Sequence, residues 1–87
     1  MAKAVARRGD AIDHGGEIIE GSDTVYVNGR PVARVGDKVQ CQQHGLVTIT
    51  DGNDAWPTNG RATARVGSRC SCGAVVTTGS PTVFSNR

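Results

Sequence analysis

Apolar residues along this chain come only in short runs broken by 12 glycines, a pattern that argues against any long helix. The run Thr24-Val25-Tyr26-Val27 is β-branched and aromatic, and it ends on Asn28-Gly29, a strong tight-turn signal. Pro31-Val32-Ala33-Arg34-Val35 then reads as the return strand of a hairpin. Asn59-Gly60 repeats the turn, and Pro57 just before it suits an edge or a bulge because proline cannot donate to a strand ladder. The stretch from Gln42 to Val47 is expected to be an irregular loop. The predicted fold class is all-β.

These elements recur. A twelve-residue pattern is written at Lys3 to His14, Arg30 to Cys41 and Arg61 to Cys72, with Arg7, Arg34 and Arg65 in register, and likewise Gly9, Gly36 and Gly67. The second half of each unit repeats as Gly21 to Gly29, Gly52 to Gly60 and Gly79 to Arg87. Three pseudo-repeats, about 3–29, 30–60 and 61–87, therefore make one domain over residues 1–87. Such a unit cannot bury its apolar side alone, so the whole chain is expected to be one structure with approximate threefold symmetry. The phasing at its two ends predicts that the last strand pairs with the first and closes a ring, with the termini close together. No extension domain, and hence no toxin activity within the chain, is expected.

Composition changes the picture in one respect. With 37% hydrophobic residues and one each of Trp, Tyr and Phe in 87 residues, the core must be thin. Small scaffolds then rely on disulfides, a metal or a partner. Three cysteines do not make a paired set, which favours metal and partner. The net charge of +2 comes from interspersed charges and offers neither a basic stripe nor an aromatic platform, so no nucleic-acid partner is expected. No apolar run could span a bilayer, and no hydrophobic segment follows the basic start as a secretion signal would require. Synthesis in the cytoplasm without a signal peptide is expected, with free cysteines at home in a reducing compartment. Export would then need a machine.

The candidate chemistry sits at one repeat position. His14, Cys41 and Cys72 each follow the aligned glycine by five residues, and threefold symmetry would bring all three to one axis. The insertion Gln42-Gln43-His44-Gly45 places His44 three residues after Cys41. Together they make a Cys2His2 set, the donor choice of tetrahedral structural zinc, with one ion per chain and no open position for catalysis. The competing reading is a cysteine-lined core with two surface histidines. Cys70 aligns with Ile12 and Val39 and reads as a small buried hydrophobe; were it a ligand, it would displace His44. Arg7, Arg34 and Arg65 read as satisfying backbone carbonyls or Asp10 and Asp37 in repeated turns. The aligned glycines are expected at positive φ or at close backbone approaches. No catalytic residue is assigned.

Pro31-Val32-Ala33-Arg34, then Val35-Gly36-Asp37, set among Asp13-His14-Gly15-Gly16, Cys41, His44-Gly45 and Cys72-Gly73, resembles the PAAR-repeat family across essentially the whole chain. Val32 and the later Ala62-Thr63-Ala64-Arg65 depart from the name-giving motif. The resemblance implies a small cone of β-hairpins stapled by zinc near its apex, with His14, Cys41, His44 and Cys72 as ligands. Members more usually carry another histidine in place of one cysteine. It also implies that a broad base seats, one copy per trimer, on a VgrG-type spike of a type VI secretion system or a related phage-tail spike. Such a tip would sharpen the spike, contact the target membrane transiently and travel with effector proteins out of the cell. Two other functions compete: a metal-stapled adapter or assembly factor unrelated to a contractile spike, and a Cys-His thiol hydrolase using Cys41 and His44.

Overall fold

A computed structural model describes residues 3–85. It contains nine short strands: β1 (Lys3–Ala4), β2 (Gly16–Ile18), β3 (Tyr26–Val27), β4 (Arg30–Pro31), β5 (Lys38–Cys41), β6 (Gly45–Thr48), β7 (Asn53–Thr58), β8 (Arg61–Thr63) and β9 (Phe84–Ser85). All pairings between them are antiparallel, and no helix occurs among the described residues. The all-β expectation holds.

Two Asn-Gly hairpins form where the sequence places them. Asn28 and Gly29 take φ of 55° and 77°, Asn59 and Gly60 take 53° and 79°, and each turn joins its strand pair, β3 to β4 and β7 to β8. Positive φ at both central residues is the mirror-image turn that matches strand twist. In the second hairpin the register slips between Asn53 and Pro57, so the proline sits at an irregularity as expected. The third pair is β1 with β9. Lys3 opposes Ser85 and Ala4 opposes Phe84, the register in which Arg30 opposes Val27 and Pro31 opposes Tyr26. First and last strands thus close the ring. The third copy of the turn, Asn86-Arg87, and the expected meeting of the termini themselves lie outside the described residues.

Two expectations need correction. The return strand predicted over Pro31 to Val35 stops at Pro31. Val32 still donates to Val25 of its own hairpin (3.0 Å) but also bridges Arg7, and Arg34 then bridges Thr63. Residues near a threefold axis must share their backbone groups with both neighbouring units, so a continuous two-stranded ladder cannot persist there. The stretch Gln42 to Val47 is not an irregular loop throughout. Gln42 to His44 form a turn, and Gly45, at φ 78°, opens β6, which pairs with β5 through Cys41 opposite Gly45 and Val39 opposite Val47. Polar Gln-Gln-His masked a hairpin whose second arm, Leu46-Val47-Thr48, has ordinary strand chemistry.

At the centre, three amides close a cycle. Ala6 N–H donates to Ala64 C=O (2.9 Å), Ala64 N–H to Ala33 C=O (2.9 Å), and Ala33 N–H to Ala6 C=O (3.0 Å). All three alanines are buried. Further interactions repeat with the same symmetry, among them Gly9 N–H to Ile18 C=O, Gly36 N–H to Ile49 C=O and Gly67 N–H to Val76 C=O. Equivalent triplets Ile12, Val39, Cys70 and Ile18, Ile49, Val76 fill the core. No aromatic residue enters it: Tyr26, Trp56 and Phe84 are 55%, 40% and 49% exposed.

The arginine turns hold the units in place. Asp37, buried, accepts from the Arg34 amide (2.8 Å), from Arg34 Nε and Nη2 (both 2.9 Å) and from Arg61 Nη2 (2.8 Å). Asp10 does the same for Arg7, and Ser68 accepts from the Arg65 amide and Nη1. Arg7 and Arg34 also donate to Asn28 and Asn59 of the Asn-Gly turns, at 3.1 Å each. The aligned Gly9, Gly36 and Gly67 take φ of 92°, 92° and 95°, which an L side chain rarely adopts.

Candidate metal centre

Each donor is delivered by the fold from a different segment. β5 alternates exposed and buried positions so that Val39 and Cys41 share the inner face. His14 and Cys72 sit in equivalent tight turns: Gly15 N–H donates to Ile12 C=O in one, and Gly73 N–H to Cys70 C=O in the other. In the second unit the four-residue insertion expands this turn into the β5–β6 hairpin, whose loop carries His44. The result is a group of four, His14, Cys41, His44 and Cys72, with one potential ligand atom from each and all within 4.8 Å of one another.

The separations have chemical meaning. Cys41 Sγ lies 3.5 Å from His44 Nδ1 and 3.9 Å from His14 Nδ1, and Cys72 Sγ lies 3.9 Å from His14 Nδ1. Metal bonds of about 2.3 Å to sulfur and 2.1 Å to nitrogen put the corners of a tetrahedron about 3.4–3.8 Å apart. The donor set therefore fits a tetrahedral metal ion with little movement. Cys41 is fully buried, His14 and Cys72 are half-buried, and His44 is exposed with its loop, so the cluster lies where the axis reaches solvent.

Electrostatics favour a thiolate at the buried donor. Burial alone would push the Cys41 thiol up, but hydrogen bonds from His44 and from the amides of Gln43 and His44 outweigh it and hold the group below its ordinary value. Cys70 behaves differently. Burial, then the neighbouring Cys72 and Cys41 charges, push it up to about 11. It stands outside the four-donor group, packed with Ile12 and Val39 as a core thiol.

Two contributors were given no role of their own from the sequence. Asp13 places a carboxylate oxygen 4.0 Å from His14 Nε2, on the side of the ring away from the cluster, and the same oxygen accepts from the Val75 amide. At that distance the carboxylate is a neighbouring charge behind the imidazole rather than its hydrogen-bond partner. Gly16, opposite Cys41 in the β2–β5 pair, is the second: a Cβ there would meet the Gln40 carbonyl oxygen at 1.9 Å. The sequence signal for the first is the Asp-His pair itself. The second requires knowing the strand register.

No curated protein matches the chain at a significant level. The family model described as the PAAR motif matches residues 8–78, which takes in the turns at Arg34 and Arg65, the first turn from Arg8 onward and all four donors. On that match, together with the threefold strand plan, the chain belongs to the PAAR-motif family.

Proposed function

We propose that this chain is a structural zinc-binding tip that caps and sharpens a trimeric VgrG-type spike of a type VI secretion system for membrane puncture and effector delivery. The observation that carries the reading is the closed cycle of amides through Ala6, Ala33 and Ala64, which gives one polypeptide the symmetry of a trimer. A pseudo-threefold monomer can meet three identical subunits with three similar faces. The outer strands supply matching material. Tyr26, Pro57 and Phe84 occupy one repeat position, all exposed, and Val25, Trp56 and Val83 precede them. Apolar residues exposed at symmetry-related places are what a trimeric partner would cover.

Zinc suits the four donors by kind and number: two thiolates neutralise the ion, two neutral imidazoles complete it, and no position is left for water. That argues for stiffness rather than turnover, so the chain is read as a non-enzyme. A groove of about 520 Å³ on its flank is lined by Arg8, Glu20, Tyr26, Arg34, Asp37 and Arg61 among others and holds neither Cys41 nor His44, which weighs against a Cys-His hydrolase. One ion would join all three repeats at the end of the axis, where burial is least able to hold them. In this reading the protein is made in the cytoplasm and leaves it on the spike, with effectors, toward the target cell.

Native mass spectrometry of the chain mixed with a trimeric VgrG-type spike tests this. One chain and one zinc per spike trimer is the expected mass. A zinc-loaded monomer that ignores the spike would favour the free-standing adapter and sink the tip.

A further inference from the structure

The sulfurs of Cys41 and Cys72 come from different repeats and converge at the axis, within 4.8 Å of each other. A disulfide needs about 2.05 Å between sulfurs, so the two side chains must rotate toward each other to form one. A tetrahedral ion holds two sulfurs about 3.8 Å apart, too far for a bond, so ion and disulfide exclude one another. Cys70 is the rival partner, but it is packed among Ile12 and Val39 and lies only two residues from Cys72, where a bond would close a very small strained ring.

We infer that, once the metal is lost, Cys41 and Cys72 join in an intrachain disulfide that replaces the ion as the link between the second and third repeats. The protective role of the ion, and the need for such a link outside the cytoplasm, rest on the function proposed above; the convergence of the two sulfurs does not.

The oxidant is a small or protein disulfide. Cys72 is half-exposed and Cys41 buried, which sets the order of events. The Cys72 thiolate attacks one sulfur of the oxidant, breaking its S–S bond and expelling one thiolate. The Cys41 thiolate then attacks the Cys72 sulfur, forming the internal bond and expelling the second thiolate. The two cysteines give up two electrons and two protons in all, and the oxidant becomes two thiols. His14 is released, so the covalent staple joins two repeats where the ion joins three.

The test uses the full chain in zinc-loaded and chelator-stripped forms, with oxidised glutathione as the probe. In the stripped form free thiols should fall from three to one, the intact mass should drop by two hydrogen atoms, and peptide mapping should find Cys41 joined to Cys72. Loading with zinc should slow this at least about tenfold, since bound thiolates are poor nucleophiles. Cys70→Val should retain the link and Cys72→Ser should lose it; if Cys72→Ser fails to fold, mapping of the wild type and Cys70→Val still decides. A Cys70–Cys72 link, a persistent glutathione adduct, or equal rates with and without zinc would overturn the proposal. If the protein purifies free of metal and still forms the Cys41–Cys72 bond, the zinc reading fails and the disulfide stands.

Discussion

The amide of Ala6 donates to the carbonyl of Ala64 at 2.9 Å, joining the first repeat to the third through backbone alone. With the matching bonds through Ala33, each repeat gives one hydrogen bond to a neighbour and receives one from the other. All three alanines are fully buried, so a larger side chain at any of them would have to displace its neighbours. Side chains then do little of the work of closure. The core is thin, the aromatics stay outside, and closure of the ring rests on backbone bonds and arginine turns.

Gly16→Ala should damage the fold and the site together. The new Cβ would meet the Gln40 carbonyl oxygen at 1.9 Å, and Gly16 already sits at φ 106°, so backbone beside Cys41 must move. A loss of about 2–4 kcal/mol is expected, in the range of strained-backbone substitutions. Gly29→Ala is the control: it is also at positive φ but has open space at its Cβ, and should lose only about 1 kcal/mol. Urea unfolding of both variants checks the difference.

Asp37→Ala should be more damaging than Ser68→Ala, although the two residues occupy the same repeat position. The carboxylate receives Arg34, its amide and Arg61, and the hydrogen bond that Arg34 donates to Asp37 raises the Arg34 pKa despite burial. Removing it leaves the Arg34 guanidinium with Asn59 as a remaining acceptor and without its charged partner, expected to cost about 2 kcal/mol. Ser68 is an uncharged acceptor, and its loss should cost about 1 kcal/mol. Equal losses in thermal unfolding would show that the charge in the second turn contributes nothing of its own.

The two histidines should separate affinity from stability. His44 belongs to the same repeat as Cys41, so His44→Ala weakens metal binding but leaves His14, Cys41 and Cys72 to bridge all three repeats. His14→Ala removes the first repeat's only donor in the group. Both variants should bind zinc at least about tenfold more weakly, and the stabilisation gained on adding zinc should shrink more for His14→Ala. A chelator competition with parallel melting curves measures both quantities.

Cys70 predicts a pH window. Its thiol rises from 9.0 to about 11 in the folded chain, so the folded state keeps a proton that the unfolded state releases between those values. The stabilising contribution is complete below pH 9 and is lost as pH climbs toward 11, by at most about 1.4 kcal/mol per unit. Cys70→Val, which copies Val39 of the second repeat, should remove this component. The difference between the two stability-versus-pH curves from pH 8 to 11 is the measurement; parallel curves would refute it.

Much of this was legible in the sequence because the repeat told it three times. The hairpins at Asn28 and Asn59, the glycine turns, ring closure and the convergence of His14, Cys41 and Cys72 all follow from register. What resisted was whatever the repeat does not share. The β5–β6 hairpin is an insertion in one unit only, and polar residues hid its strand. The break after Pro31 depends on long-range pairing of Val32 with Arg7, which local propensity cannot see. The close approach at Gly16 needs the register of two strands, and a glycine among 12 carries no mark of it.

The exposed apolar positions give the proposed spike contact its own test. Tyr26 and Phe84 lie on β3 and β9, in equivalent strands of two repeats, and more than two-fifths of each is open to solvent. Because about half of each side chain is open to solvent, Tyr26→Ser and Phe84→Ser should each cost only about 1 kcal/mol of stability. Against a trimer the consequence differs. Each subunit meets one repeat, so one substitution removes roughly a third of the apolar contact and should weaken binding about fivefold to tenfold, near 1–1.4 kcal/mol. The double substitution, acting at separate faces, should come close to the product of the two. Titrating each variant against a fixed amount of spike trimer reads these factors directly. Undiminished binding by the double variant, with its fold intact, would move the interface away from the outer strands.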